Sequence, residues 1–283
     1  MDHPAPTTVS VLVCLLLAGG VAPARAQAPA EAPAAPIQDN SFLVEEAYNQ
    51  ERGVVQHIST FARPRGGGAW SYSFTQEWPL LGQRHQIGFT LPVESAEGAR
   101  GGTGVGDLAL NYRWQVLGIG GSRVALAPRV SALLPTGDEE RGRGAGGAGV
   151  QANLPLSVVL ADRWVAHSNA GVTHTFSARN ALGQEAGTTG YNLGQSLIWL
   201  AHPRLNLMLE AAWSRDDEVV GADATRHGTS FFLAPGIRGA VDLPSGLQVV
   251  PGVAVPIGVG PSDGERALFL YLSFEHPFGA RRD

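Results

Sequence analysis

The phrase VAHSNAG at residues 165–171 sets His167 directly beside Ser168, the two side-chain types of a nucleophile–base pair. Such a pair works only when its atoms lie within about 3 Å of each other. Adjacent residues of a strand point to opposite faces, so this spacing opposes hydrolytic chemistry once the segment is read as a strand. The other histidines (His3, His57, His85, His174, His202, His227 and His276) show no ligand-type pairing, and no metal is expected. GTGVG at 102–106 has the glycines of a phosphate loop but lacks the strand–loop–helix setting that gives such a loop its meaning. The acidic run Asp138-Glu139-Glu140 reads as a solvated loop rather than a cation site. No catalytic residue and no cofactor are therefore expected.

The residues that remain for function are polar ones at alternate positions of apolar-rich segments. They are Asp107, Asn111, Arg113, Arg129, Gln151, Asn153, His167, Asn169, Asn206, Glu210, Arg238 and Gln248. In DLALNYRWQ, Leu108, Leu110, Tyr112 and Trp114 occupy one face while Asp107, Asn111 and Arg113 occupy the other. Leu205, Leu207, Leu209 and Trp213 oppose Asn206, Glu210 and Ser214 in the same way. WSYSFTQEW at 70–78 sets aromatic rings against small hydroxyls. These candidates are expected to line one enclosed, hydrated interior, with Arg and Glu on facing strands placed to pair across it.

The elements that must carry them are strands. Period-two alternation marks about 54–62, 69–78, 85–94, 107–116, 123–134, 148–160, 164–176, 189–201, 204–215, 227–240, 246–257 and 266–276. These are longer than ordinary globular strands of about 5–6 residues and match the roughly 9–11 that cross a bilayer at a tilt. Connections alternate between short ones (PLLGQR, GIGGSR, ADR, HPR, DLPSG) and long, polar, Gly-rich ones at 95–106, 136–147, 177–189, 216–226 and 258–266. That alternation predicts an all-β, transmembrane, up-and-down antiparallel barrel of about twelve strands, with ten and fourteen as neighbouring counts.

Composition sets the orientation of the faces. The chain has 37 Gly, 20 Lys+Arg that are all Arg, and only 16% charged residues. A soluble barrel would show water a far more charged exterior, so the apolar faces are expected to meet lipid. Trp70, Trp78, Trp114, Trp164, Trp199 and Trp213 fall near predicted strand ends, where interfacial aromatic girdles sit. A net charge of −5 speaks against a nucleic-acid partner.

The amino terminus supplies the address. VSVLVCLLL at 9–17 followed by Ala24-Arg25-Ala26 reads as a signal peptide over 1–26, removed before Gln27 and taking the single cysteine, Cys14, with it. An Ala/Pro-rich periplasmic linker over 27–38 and a segment at 39–53, periplasmic or inserted into the lumen, precede the barrel at 54–278 and a short tail at 279–283. Twelve strands leave room for either a narrow pore or a plugged barrel. The expected location is the outer membrane of a Gram-negative cell, with membrane lipid and a small-molecule solute as partners.

Four phrases carry a resemblance: IQDNSFLVEEAYNQERGVVQHI (37–58), WSYSFTQEWPL (70–80), GTGVGDLALNYRW (102–114) and LLPTGDEE (133–140). They resemble the outer-membrane barrels associated with the meta-cleavage pathway of phenol degradation. The resemblance implies a passive channel or transporter for small, hydrophobic or aromatic solutes, and it brings no catalytic residues with it. Two alternatives stand beside it, a structural barrel that transports nothing and a membrane-embedded lipid hydrolase. VAHSNAG is similar to the His-x-Ser-Asn-Gly phrase of outer-membrane phospholipase A, although the His–Ser spacing differs.

Overall fold

The computed structural model describes residues 41–97, 101–119, 122–243 and 247–278. The signal peptide, the linker and the tail at 279–283 lie outside the described residues. A single sheet closes on itself as a 12-strand antiparallel barrel.

The strands run in chain order around the wall. They are β1 (Val54–Pro64), β2 (Trp70–Leu80), β3 (His85–Ala96), β4 (Gly102–Val105 and Leu108–Trp114) and β5 (Val124–Leu126 and Arg129–Leu134). Next come β6 (Gly149–Asn153 and Leu156–Ala161), β7 (Trp164–Arg179), β8 (Glu185–His202) and β9 (Leu205–Gly221). The wall ends with β10 (Ala224–Gly239, continued at Val241–Asp242), β11 (Gln248–Ala254 and Ile257–Gly258) and β12 (Ala267–Pro277). Closure is complete: β1 pairs with β12 from Val54↔Pro277 to Pro64↔Ala267, so no sheet edge is left at the seam. The breaks within β5, β6 and β11 fall at Pro128, Pro155 and Pro256, residues that have no N–H to give the ladder.

Alternation along each strand sets the faces. Leu110 is 46% exposed while its neighbour Asn111 is 8% exposed; Leu207 and Asn206 stand at 38% and 0%. Leu268, Leu270 and Leu272 of β12 are exposed, whereas Phe269, Tyr271 and Ser273 between them are buried. The outside is a continuous apolar belt and the inside holds most of the polar side chains, the arrangement a bilayer requires. In β2, Thr75 and Glu77 point inward, so the rings of Trp70, Tyr72, Phe74 and Trp78 face out.

Several features depart from the sequence expectation. Within the loop expected at 95–106, Gly102–Val105 is strand and pairs with Val93–Ala96. The long loops expected at 177–189 and 216–226 are largely strand, closed by turns at 180–184 and 222–223. β7–β10 have 16, 18, 17 and 16 residues, roughly 5–8 more than a bilayer crossing needs, so these hairpins project beyond the membrane. Beyond the membrane the outer face meets water and the inner face covers only a small apolar cluster of Ala178, Ala186 and Val219, so the strong apolar alternation that marks a strand fades. Charged pairs replace it, with Glu218 and Arg226 bonded across β9–β10 at 3.0 Å and Arg179 and Glu185 across β7–β8 at 3.1 Å. Asp223 takes the left-handed conformation (φ 54°) that so tight a hairpin demands.

The tryptophans divide accordingly. Trp78, Trp114, Trp164 and Trp199 ring the short-turn end, with Trp164 and Trp199 stacked at 6.2 Å. Trp213 lies inside β9 rather than near its end, because that strand continues past it to Gly221.

Candidate functional site

The interior is occupied. Residues 41–50, SFLVEEAYNQ, enter the barrel before β1, and all but Leu43 are buried. This segment is neither helix nor ladder strand, so its backbone N–H groups need partners from elsewhere. The wall supplies them as side chains. The N–H groups of Phe42 and Leu43 donate to the two oxygens of Glu210 on β9, at 3.0 and 2.7 Å. Glu45 N–H donates to Asn169 Oδ1 on β7 at 2.6 Å, and Asn169 Nδ2 returns a bond to the Glu45 carbonyl at 2.8 Å. Ala47 N–H donates to Ser157 Oγ on β6 at 2.8 Å, Asn49 N–H to Gln115 Oε1 at 2.9 Å, and Gln50 N–H to Gln86 Oε1 on β3 at 2.7 Å. The segment thus follows the inner wall from β9 round to β3, bonded at nearly every step.

Charge holds its middle. Arg129 on β5 grips Glu45, with Nη2 at 2.6 Å and Nε at 3.0 Å from Oε1. The same guanidinium donates to Gln151 on β6 at 2.7 Å and to the hydroxyl of Ser131. Ser131 in turn donates to Asn111 Oδ1 at 2.6 Å. Arg113 on β4 donates to the Tyr48 carbonyl at 2.9 Å and lies 3.5 Å from Glu77 on β2. At this depth a lone charge is costly, so Glu45 and Arg129 each depend on the other.

The candidates from the sequence therefore separate into groups. Asn111, Arg113, Arg129, Gln151, Asn169 and Glu210 form one network around the segment. Asn153, Asn206 and Arg238 are buried in the wall, the last two as cross-strand partners. His167 points inward, its Nδ1 2.7 Å from Ser157 Oγ, while Ser168 points outward and bonds to Gln195 at 2.6 Å. The histidine that neighbours a serine in sequence therefore contacts a different one. Ser157 Oγ also receives the Ala47 N–H, and both side chains are buried against the segment.

Gln248 and Asp107 serve the two ends. Gln248 bonds to Asp242 at the short-turn end. Asp107 sits in the break of β4, where its carboxylate accepts the N–H groups of Gly137 at 2.9 Å and Ala145 at 2.7 Å. Thr136 Oγ1 donates to the Gly106 carbonyl at 2.9 Å and accepts the Leu108 N–H at 3.0 Å. The GxGD and LPTGD phrases thus meet as one interlock folding the 135–148 loop. Gly144 has φ +86°, and a Cβ there would stand 2.4 Å from Asp107 Oδ1. Glycine is required on both counts.

Several residues carry no signal in the sequence. Glu45, Ser157, Gln86, Gln115 and Ser196 are ordinary polar residues until the barrel closes around residues 41–50. The interior is also less polar than its alternation implies. Phe42, Ile58, Ile198, Met208, Val250, Phe269 and Tyr271 form an apolar cluster inside it. His57 and His276, far apart in the chain, bring their Nε2 atoms to 3.1 Å across the seam.

The fold recurs among solved structures. The NanC porin aligns with a TM-score of 0.50 at 6% identity, covering 79% of this chain and 100% of that one. An outer membrane channel from Pseudomonas putida F1 aligns with a TM-score of 0.61 at 14% identity, covering 82% and 98%. At these identities the likeness is one of fold. No curated protein sequence matches the chain. The barrel, with its apolar belt and closed seam, is a protein of the Gram-negative outer membrane. Residues 36–269 match from before the inserted segment into the last strand, and the chain belongs to the family described as "Putative MetA-pathway of phenol degradation".

Proposed function

We propose that the protein is a passive outer-membrane channel for small hydrophobic solutes, held closed by residues 41–50, which act as a plug. The observation that carries this reading is how the plug is held. Six of its backbone N–H groups donate to wall side chains, and Tyr48 alone of the ten residues forms a backbone bridge. Side-chain acceptors can exchange a peptide for water or solute without disturbing the ladder, so the plug can leave an intact barrel. The family membership and the channel from Pseudomonas putida F1, a barrel of the same fold, support the reading. The apolar cluster beside the polar network gives a solute with a hydrophobic body and a polar edge somewhere to pass.

A filled lumen also favours a second reading, a structural barrel that transports nothing. Conductance of the purified protein in planar bilayers, together with solute-swelling in liposomes, separates the two. A channel shows low conductance as purified and step-like conductance with faster swelling once residues 41–50 are deleted. A structural barrel stays silent in both forms.

A further inference from the structure

We propose that the wall pocket holding Phe42 is a binding site for a single aromatic ring bearing a hydrogen-bond donor, and that such a ring releases the plug by taking Phe42's place. The proposal deepens the channel reading, on which it rests for what release accomplishes.

The pocket is shaped for a ring. Phe42 is fully buried, its centroid 5.9 Å from both Phe269 and Tyr271 at interplanar angles of 59° and 69°. Tilted and edge-on packing of this kind is the favoured geometry between aromatic rings. Beside Phe269 and Tyr271 on the same wall lie Gly236 on β10 and Gly252 on β11, the latter paired directly across from Tyr271. A Cβ at Gly236 would stand 2.4 Å from Phe42 Cε2, and one at Gly252 would stand 2.5 Å from Cε1. Neither glycine has a left-handed φ, so the backbone does not demand glycine at either place. The ring does. Two adjacent strands have given up their side chains to admit one aromatic group.

The rim of the pocket is charged. Glu210 is fully buried and is surrounded by the N–H groups of Phe42 and Leu43 and the hydroxyls of Ser41 and Ser196. The two N–H donors belong to the plug and leave with it, as does Ser41, whose hydroxyl donates to Ser196 Oγ at 2.8 Å. A buried carboxylate stripped of its donors is strongly disfavoured. A replacement ring must therefore bring a hydroxyl or amine to the Glu210 edge, and a plain hydrocarbon ring fills the pocket while leaving the carboxylate bare. A saturated ring alcohol supplies the donor but not the aromatic face for Phe269 and Tyr271. Because Phe42 is tethered, its effective concentration is on the order of millimolar, and a free ring competes only in that range.

The test uses the protein in lipid nanodiscs with Ala47→Cys introduced, and with Cys14→Ser so that any unprocessed chain also carries its single thiol on the plug. Labelling of that thiol by a water-soluble maleimide reports plug release, and heat-modifiable gel mobility confirms that each variant is a folded barrel. Phenol is expected to speed labelling about fivefold or more and to saturate in the millimolar range, with toluene and cyclohexanol well behind. Gly252→Ala, which crowds Phe42, should label fast without phenol and lose the phenol response. Phe42→Ala should bind phenol more tightly than the parent in saturation-transfer NMR, having no internal competitor. The proposal is overturned if phenol leaves labelling of the parent unchanged, if the three probes act alike, or if Phe42→Ala binds no phenol. Liposome swelling is read separately: uptake without a labelling response sinks this proposal alone, whereas a labelling response without uptake sustains it and sinks the channel.

Discussion

Arg129 of the wall and Glu45 of the plug form a buried ion pair, Nη2 to Oε1 at 2.6 Å, with each side chain at most 2% exposed. Removing one member of such a pair leaves the other charge buried and alone, at a cost of about 3–5 kcal/mol. Arg129→Glu does more, setting two carboxylates face to face. It is expected to raise open-channel conductance in planar bilayers by two orders of magnitude or more while the barrel keeps its heat-modifiable mobility. The double exchange Glu45→Arg with Arg129→Glu should restore much of the closure. Equal conductance in the single and double variants would show that the pair does not hold the plug.

The Glu210 carboxylate anchors the other end of the plug by accepting two consecutive N–H groups. Hydrogen bonds to a charged acceptor are each worth about 1.5–3 kcal/mol. Glu210→Ala should therefore free the start of the plug without touching the Arg129 contact. Amide exchange at Phe42 and Leu43 should quicken by at least tenfold, with much less change at Gln50, whose partner is Gln86 on β3. Uniform quickening from 42 to 50 would mean that the plug releases as one unit.

Face polarity gives a third expectation. Leu110→Arg or Leu207→Arg places a cation in the lipid belt and should cost about 2–4 kcal/mol near the midplane, read as a lowered urea midpoint in folding from vesicles. On the opposite face, polarity alone predicts tolerance at Asn111 and Asn206. The packed interior changes that expectation, because Asn206 is completely buried and an added Arg overfills its place. Asn192, inward-facing on β8 and only half-buried, is where Arg should be mild. Equal losses at Leu207 and Asn192 would contradict the assignment of faces.

Much of this fold was legible because period-two alternation survives wherever one face meets lipid. It located all twelve strands. It failed where the outer face no longer meets lipid and the inner face carries only small residues such as Ala178 and Ala186, and so 177–189 and 216–226 read as loops although they are mostly projecting hairpin. The site was less legible for a different reason. Alternation says which face Glu210 or Asn169 occupies, not which neighbour it meets. Their partners on the plug lie 168 and 124 residues away in the chain. Arg129 invited pairing with another wall strand; its actual partner, Glu45, lies in a segment with no secondary structure to announce it. His57 and His276 illustrate the same limit, since only barrel closure makes them neighbours.

The interlock at the loop end supplies the last prediction. Asp107 accepts two N–H groups from the 135–148 loop, and Arg143 within that loop bonds to the Gly102 carbonyl and to Asp138, both at 3.1 Å. Arg141 meanwhile remains exposed, a ready trypsin site protected only by the fold of its loop. Asp107→Ala removes both acceptances, and leaving two N–H groups poorly satisfied costs about 1–3 kcal/mol each. The loss is local, because the ladder between β4 and β5 from Leu108↔Leu134 to Arg113↔Arg129 does not depend on the carboxylate. Trypsin added to intact cells should therefore cut at Arg141 at least tenfold faster in Asp107→Ala than in the parent, with the barrel still migrating as a folded band. Gly144→Ala should behave alike, since its Cβ would occupy the space of the Asp107 carboxylate. A loop that resists trypsin in both variants would show that the barrel rim, not Asp107, holds it. Cleavage seen only after the cells are opened would place this loop on the periplasmic side and reverse the orientation of the barrel.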